Sequence, residues 1–145
     1  MHTKESLIED MKNAGIENNG TLLIHSSMKA IGQVEGGADT VLDAFIEYMK
    51  DGLLLFPTHT WSKENMLDGI YDPKKEPACV GLLPNMFMKR EGAIRSMHPT
   101  HSVTAMGERA KEYVARDNDV NTPCPAHGCF AGLYDEDAQI LLLGV

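Results

Sequence analysis

Three short runs of unbroken apolar residues constrain this chain more than any other feature. They are Leu22-Leu23-Ile24, Leu53-Leu54-Leu55-Phe56 and Ile140-Leu141-Leu142-Leu143. A strand with one wet face alternates apolar and polar residues, whereas a strand covered on both faces does not. Runs this short suit buried strands and fall far below the ~20 residues that a membrane-spanning helix needs. Between the first two runs, Val41, Leu42, Phe45, Ile46 and Met49 share one face of a predicted helix over 41–50, and Asp51-Gly52 stops it. Strand, helix, strand with both strands apolar predicts a right-handed parallel βαβ unit in an α/β fold with a largely parallel central sheet.

The remaining elements are read around that unit. Ser6 to Ala14 predicts a helix with apolar residues at 7, 8, 11 and 14, Ser6 as its N-cap and Glu9 completing a capping box. Asn18-Asn19-Gly20 is turn chemistry. Thr58 to Pro77 is polar and turn-rich, and loops of that length inside a compact domain are often functional. Gly81 to Lys89 predicts a helix with Pro84 in its first turn. Arg95 to Ala105 is expected to be extended, Glu108 to Arg116 helical, Asn121 to Gly132 a loop, and Gln139 to Leu143 a third buried strand. A buried parallel strand needs cover on both faces. Residues 1–145 are therefore expected to be the N-terminal part of a single domain whose C-terminal half lies outside this chain. An apolar sheet face left uncovered would favour homo-oligomers.

Charge bears on partners. The formal net charge is -8 over 145 residues. A negative balance argues against nucleic acid, which selects a basic face, and suits a cationic ligand through its general field. The opening Met1-His2-Thr3-Lys4-Glu5 lacks the basic-then-apolar order of a signal peptide, and no run suits a membrane. Cys79, Cys124 and Cys129 are odd in number and read as reduced thiols, which suits a cytoplasmic location.

Four segments carry candidate chemistry. His25-Ser26-Ser27-Met28-Lys29-Ala30-Ile31-Gly32 follows the first strand, and α/β sheets bind ligands beyond the carboxyl ends of their strands. Its hydroxyls and free N–H groups suit a phosphate or an amide, although Ser26 could simply cap a helix. Glu35-Gly36-Gly37-Ala38-Asp39-Thr40 matches neither a P-loop nor a dinucleotide fingerprint and reads as a turn with close packing. Pro57-Thr58-His59-Thr60-Trp61 follows the second strand, where a histidine among hydroxyls could orient a substrate or simply be packed. Arg95-Ser96-Met97-His98-Pro99-Thr100-His101-Ser102 could hold an anion. Its two histidines do not predict a metal site, because Pro99 separates them and no third ligand stands at a recognisable spacing.

Taken in order, and followed by Leu141-Leu142-Leu143-Gly144-Val145, these segments resemble the aminoglycoside 3-N-acetyltransferase family from about Leu7 to Val145. Thr122-Pro123-Cys124-Pro125-Ala126-His127-Gly128-Cys129 is similar to its prophage-type branch in Gram-positive bacteria. The resemblance implies a distinctive α/β acetyltransferase fold. It also implies acetyl transfer from acetyl-CoA to the 3-amino group of an aminoglycoside, through a ternary complex, giving antibiotic resistance. It implies CoA contacts from Ser26, Ser27, Met28, Lys29, Arg95, Ser96, His98, His101 and Ser102, and acceptor contacts from Thr58, His59, Thr60 and Trp61. Neither a metal nor a membrane partner is expected. Family members carry a histidine base just past the Leu-Leu-Gly strand. No residue here matches it, so the base is expected beyond Val145 and no catalytic residue is assigned. The alternative is a non-catalytic CoA- or aminoglycoside-binding module.

Overall fold

A computed structural model describes residues 1–61 and 69–145; part of the expected loop over 58–77, residues 62–68, lies outside the described residues. The first helix, α1 (Lys4–Asn13), starts two residues before Ser6. Thr3 is its cap and accepts from the Ser6 backbone N–H at 3.2 Å, while Ser6 Oγ accepts from the Thr3 N–H at 2.9 Å. The reciprocal box is thus Thr3 with Ser6, and Glu9 plays no part in it.

Strand β1 (Thr21–Ser26) and strand β2 (Leu53–Pro57) pair in parallel, Thr21 opposite Leu53 and Leu23 opposite Leu55. The short helix α2 (Met28–Ile31) and the long helix α3 (Gly37–Tyr48) connect them. Helix α4 (Leu82–Phe87), strand β3 (Ile94–Arg95), strand β4 (Val103–Met106), helix α5 (Ala110–Val114), helix α6 (Cys129–Asp135) and strand β5 (Gln139–Leu143) follow. The sheet order is β3-β4-β2-β1-β5. The β5-β1-β2 half is parallel, as the apolar runs predict, whereas β4 runs antiparallel to β2 and β3 antiparallel to β4.

The stretch expected to be extended over 95–105 is broken into these two strands. Residues 96–102 turn back, and the Ser96 N–H donates to the Val103 carbonyl at 2.8 Å. Pro99 lies in that turn, where its missing N–H costs no ladder bond.

Residues of one strand alternate between two apolar layers. Leu22, Ile24, Leu54 and Phe56 pack with Leu7 and Met11 of α1, Val41 and Phe45 of α3, and Leu83 and Phe87 of α4. Leu23, Leu53 and Leu55 pack on the other face with Ala110, Tyr113 and Val114 of α5 and Cys129 of α6. Both faces of β1 and β2 are therefore covered, which explains their unbroken apolar sequences.

Two expectations are corrected. Helix α6 begins inside the stretch read as a loop. Its first N–H group, on Cys129, is satisfied by Asp117 Oδ1 at 2.9 Å, a cap supplied from twelve residues away with no local signature. The third apolar run is an edge strand rather than a buried one: Ile140 and Leu142 are 56% and 63% exposed, and among the described residues β5 pairs with β1 alone. No helix among the described residues is long and apolar enough to cross a membrane.

Candidate functional site

Parallel pairing brings the carboxyl ends of β1, β2 and β5 to one edge of the sheet. Ser26 ends β1 opposite Leu143, and the Ser27 N–H continues that ladder to the Leu143 carbonyl at 2.9 Å. Ser27 occupies the N-cap position of α2, yet its hydroxyl makes no cap bond. Ser26 and Ser27 are half-buried, Met28 packs partly against the core, and Lys29 is exposed. Gly144 holds the turn against β5. Its φ of 75° is left-handed, and a Cβ there would stand 2.6 Å from Ala30 Cβ and 3.2 Å from the Ser27 carbonyl oxygen.

A cleft of about 330 Å³ opens beside this turn. His25 and Ser26 from β1, Pro57 from β2, Val80, Pro84 and Leu142 line it. Gly81 begins the far wall, with the site of its absent Cβ 3.8 Å from the Ser26 carbonyl oxygen. Of the thirteen residues that the resemblance implies, only Ser26 lines the cleft. Val80, Pro84 and Leu142 were missed, since each reads locally as a loop, helix or strand residue.

The Arg95 to Ser102 segment lies at the same sheet edge but is tied to β2 rather than turned into that cleft. Thr58, Thr60, Ser96 and Ser102 are buried. Thr58 donates its N–H to the Ser102 carbonyl at 2.8 Å, and Thr60 donates to the Thr100 carbonyl at 2.9 Å. Arg95 donates from Nε to Ser102 Oγ at 3.0 Å and from Nη2 to the Thr58 carbonyl at 2.7 Å. Its Nη1 donates to the carbonyls of Glu76 at 2.5 Å and Pro73 at 3.3 Å. Burial lowers its affinity for a proton, but a guanidinium remains charged at any ordinary pH. Tyr71 lies under the guanidinium, 5.4 Å from ring centroid to carbon, and burial raises its phenol above the usual range.

His98 is also buried and bound within the segment. Its Nδ1 accepts from the N–H groups of Thr100 at 3.2 Å and His101 at 2.9 Å, so Nε2 carries the proton and donates to the Thr122 carbonyl at 2.9 Å. His101 is half-exposed, with Nδ1 2.8 Å from Thr100 Oγ1. Among the described residues no three of histidine, cysteine, aspartate and glutamate are placed to hold a metal.

His59 is the centre of an aromatic cluster. Its ring stacks with Trp61 at 4.2 Å and with Phe130 at 5.3 Å, and His101 meets it edge-on at 5.2 Å. The imidazole is buried, and its Nδ1 has no hydrogen-bond partner among the described residues. Burial above all, then the fields of His101, His25 and His98, lowers its pKa to about 4. Such a ring is neutral at pH 7 and a weak proton acceptor. Trp61 is 47% exposed and forms the outer surface of the cluster. Phe130 lies at the start of α6, inside the stretch expected to be a loop, so local pattern carries no sign of its place in this cluster.

The family model for aminoglycoside 3-N-acetyltransferase matches residues 23–145. Aminoglycoside N(3)-acetyltransferase III of Salmonella is 32% identical over 128 residues, covering 77% of this chain and 45% of that protein. The SPbeta prophage-derived aminoglycoside N(3')-acetyltransferase-like protein YokD of Bacillus subtilis is 27% identical, covering 98% of this chain and 60% of that protein. The apoenzyme structure of aminoglycoside acetyltransferase AAC(3)-IVa superposes with a TM-score of 0.89 at 26% identity over 99% of this chain and 55% of that one. The binary complex of AAC-IIIb with CoASH superposes equally well, 0.89, at 22% identity, covering 99% of this chain and 59% of that one. The chain spans about half the length of the curated relatives it matches. By the match of its residues 23–145, this chain belongs to the aminoglycoside 3-N-acetyltransferase family.

Proposed function

We propose that this chain supplies the CoA-binding side of an acetyl-CoA-dependent aminoglycoside 3-N-acetyltransferase and forms the N-terminal part of its domain. The observation that carries this reading is the cleft at the carboxyl ends of β1, β2 and β5, walled by Ser26 and the 80–84 segment. Apolar walls suit the pantetheine arm. The Ser26 and Ser27 hydroxyls, which make no side-chain hydrogen bond among the described residues, suit its amides or phosphates. Support also comes from a relative of the same fold solved with CoASH.

In the reaction an amine attacks the thioester carbonyl, a C–N bond forms, the C–S bond breaks, and the amine proton is lost as the CoA thiol is released. The attacking amine must be neutral, which requires a general base. His98 has both ring nitrogens engaged, and His59 is too weakly basic, so neither suits that role. His59, Trp61 and His101 instead wall the acceptor side, with Thr58 and Thr60 beneath them. Arg95, Ser96, His98 and Ser102 support the site by holding its backbone. An acidic protein attracts an aminoglycoside, a polycation, and a cytoplasmic location is part of the reading.

Calorimetry with CoA tests this. Saturable binding and a raised melting temperature are expected, and no heat at millimolar CoA would remove the reading. The engaged histidines favour a second reading, a binding module without turnover. Aminoglycoside binding that is tight and independent of CoA would select it.

A further inference from the structure

A buried carboxylate that the proposed reaction does not use closes the loop between α5 and α6. Asp117 ends a 3-10 turn, Ala115–Asp117, directly after α5, and is 3% exposed. Burying such a charge is costly unless its oxygens are bonded. Oδ1 accepts from the Cys129 N–H at 2.9 Å, and Oδ2 has no partner among the described residues. The role of the carboxylate therefore lies in what that one bond fixes.

The bond fixes the entry to α6. Gly128 occupies the N-cap position and has no side chain to cap with, so Asp117 supplies the acceptor from across the 118–128 loop. The approach is close: a Cβ on Gly128 would stand 3.1 Å from Asp117 Oδ1 and 2.9 Å from Pro125 Cγ. The Tyr113 hydroxyl donates to the Cys129 carbonyl at 2.6 Å, the Cys129 thiol donates to the Tyr113 carbonyl at 3.4 Å, and Arg116 Nε donates to the Gly128 carbonyl at 3.2 Å. Midway along the loop, His98 Nε2 donates to the Thr122 carbonyl at 2.9 Å. These bonds hold carbonyls and a thiol, whereas among the described residues only Asp117 takes the Cys129 N–H. Phe130 is the next residue, and its ring stacks at 5.3 Å on the same imidazole, His59, that carries Trp61 at 4.2 Å.

We propose that Asp117 is a positioning residue of the acceptor site: by holding the Cys129 N–H it sets where Phe130 stands against His59, and so sets the flat surface of His59 and Trp61 that an aminoglycoside ring meets. This deepens the acceptor reading given above and rests on it. Asp117 touches no substrate and acts through Phe130 alone. A carboxylate suits the task, because a charge-assisted bond to a backbone N–H is stronger than a neutral one.

The test compares the parent chain with Asp117→Ala, Asp117→Asn, Phe130→Ala and the double variant Asp117→Ala with Phe130→Ala. Fluorescence of Trp61, the chain's one tryptophan, follows the protonation of His59. Calorimetry reads the affinity for sisomicin, with which AAC-VIa, a protein of this fold, was solved. Asp117→Ala should lower the melting temperature by roughly 3–10 °C, as loss of any helix cap would. A purely structural role would leave the fluorescence titration in place. Positioning moves it: the midpoint, about 4 in the parent, should rise in Asp117→Ala because burial is the main cause of the low value, and the fields of His101, His25 and His98 should keep it below 6.5. Phe130→Ala keeps the Asp117 bond and should shift the midpoint as far. The double variant should shift no further, and Asp117→Asn, which keeps an acceptor oxygen, should hold the parent value. Sisomicin affinity should fall about three- to tenfold in the variants that shift. An unchanged midpoint in Phe130→Ala overturns the proposal even where Asp117→Ala does not fold, and so does a double variant that shifts by the sum of the two. Shifted midpoints with sisomicin bound equally well throughout uphold the link from Asp117 to Phe130 and overturn the acceptor reading. A parent chain that binds no sisomicin overturns that reading too, while the fluorescence titrations still decide the link.

Discussion

Thr58 and Ser102 are joined by three hydrogen bonds. The Thr58 N–H donates to the Ser102 carbonyl at 2.8 Å, Ser102 Oγ donates to the Thr58 carbonyl at 2.7 Å, and the two hydroxyl oxygens stand 3.0 Å apart. Both residues are fully buried, and Arg95 donates to each. This junction ties the end of β2 to the start of β4 and sets the floor beneath His59 and Trp61.

Arg95 is therefore expected to act through stability. Arg95→Ala leaves the buried Thr58 carbonyl with Ser102 Oγ as its one remaining side-chain donor and removes the Arg95 donor to the Glu76 carbonyl, and should cost about 1–3 kcal/mol. Arg95→Lys should recover little, because a single ammonium cannot reproduce the fork that reaches four acceptors. Urea denaturation measures this. A variant of unchanged stability that loses only CoA affinity would instead make Arg95 a direct ligand.

The serine turn should behave in the opposite way. The Ser26 and Ser27 hydroxyls make no side-chain hydrogen bond among the described residues, so Ser26→Ala with Ser27→Ala should leave the melting temperature within about 1–2 °C. CoA affinity should fall by about tenfold through loss of two hydroxyl contacts. Unchanged CoA affinity would remove these hydroxyls from the proposed site.

His59 links stability to pH. Its folded pKa, about 4, lies below the ordinary histidine value of 6.5, so the unfolded chain binds more protons between these values. Stability from this group is fully present above pH 6.5 and is lost as pH falls toward 4, by at most about 3 kcal/mol. Carboxylates titrate in the lower part of that window, so the measurement is the difference from His59→Phe, whose slope between pH 6.5 and 4.5 should be shallower. Trp61 is the chain's one tryptophan and stacks on the ring at 4.2 Å, so its fluorescence should report protonation near pH 4 rather than 6.5.

The three thiols should separate by reactivity. Cys79 and Cys124 are exposed, and Cys129 is buried. Burial, with the nearby Asp117 carboxylate, pushes the Cys129 thiol well above the usual range. A disulfide reagent at pH 8 should modify two thiols quickly and the third only on unfolding. Rapid reaction of all three in the folded protein would contradict this packing.

Gly144→Ala tests the contact between β5 and the serine turn. The left-handed backbone and the 2.6 Å approach to Ala30 Cβ should cost about 1–2 kcal/mol. CoA binding should weaken beyond that expected from stability, because relief of the clash displaces Ser27 to Ala30. Retention of full affinity would show that the turn tolerates displacement.

The sequence by itself determined the α/β class, the parallel β1-β2 pair and the helix between them. Unbroken apolar runs and a 3.6-residue period are local consequences of covering both strand faces and one helix face. The ordered motifs likewise located the turn after β1 and the segment after β2. Tertiary structure alone decided what those side chains meet. Arg95 and His98 carry no local sign that their hydrogen bonds turn inward to Thr58, Glu76 and Thr122. The α6 cap comes from Asp117, and the aromatic contact of His59 with Phe130 joins residues seventy-one positions apart. Hydrogen bonds and stacking depend on positions in space, and only chain closure brings those positions together.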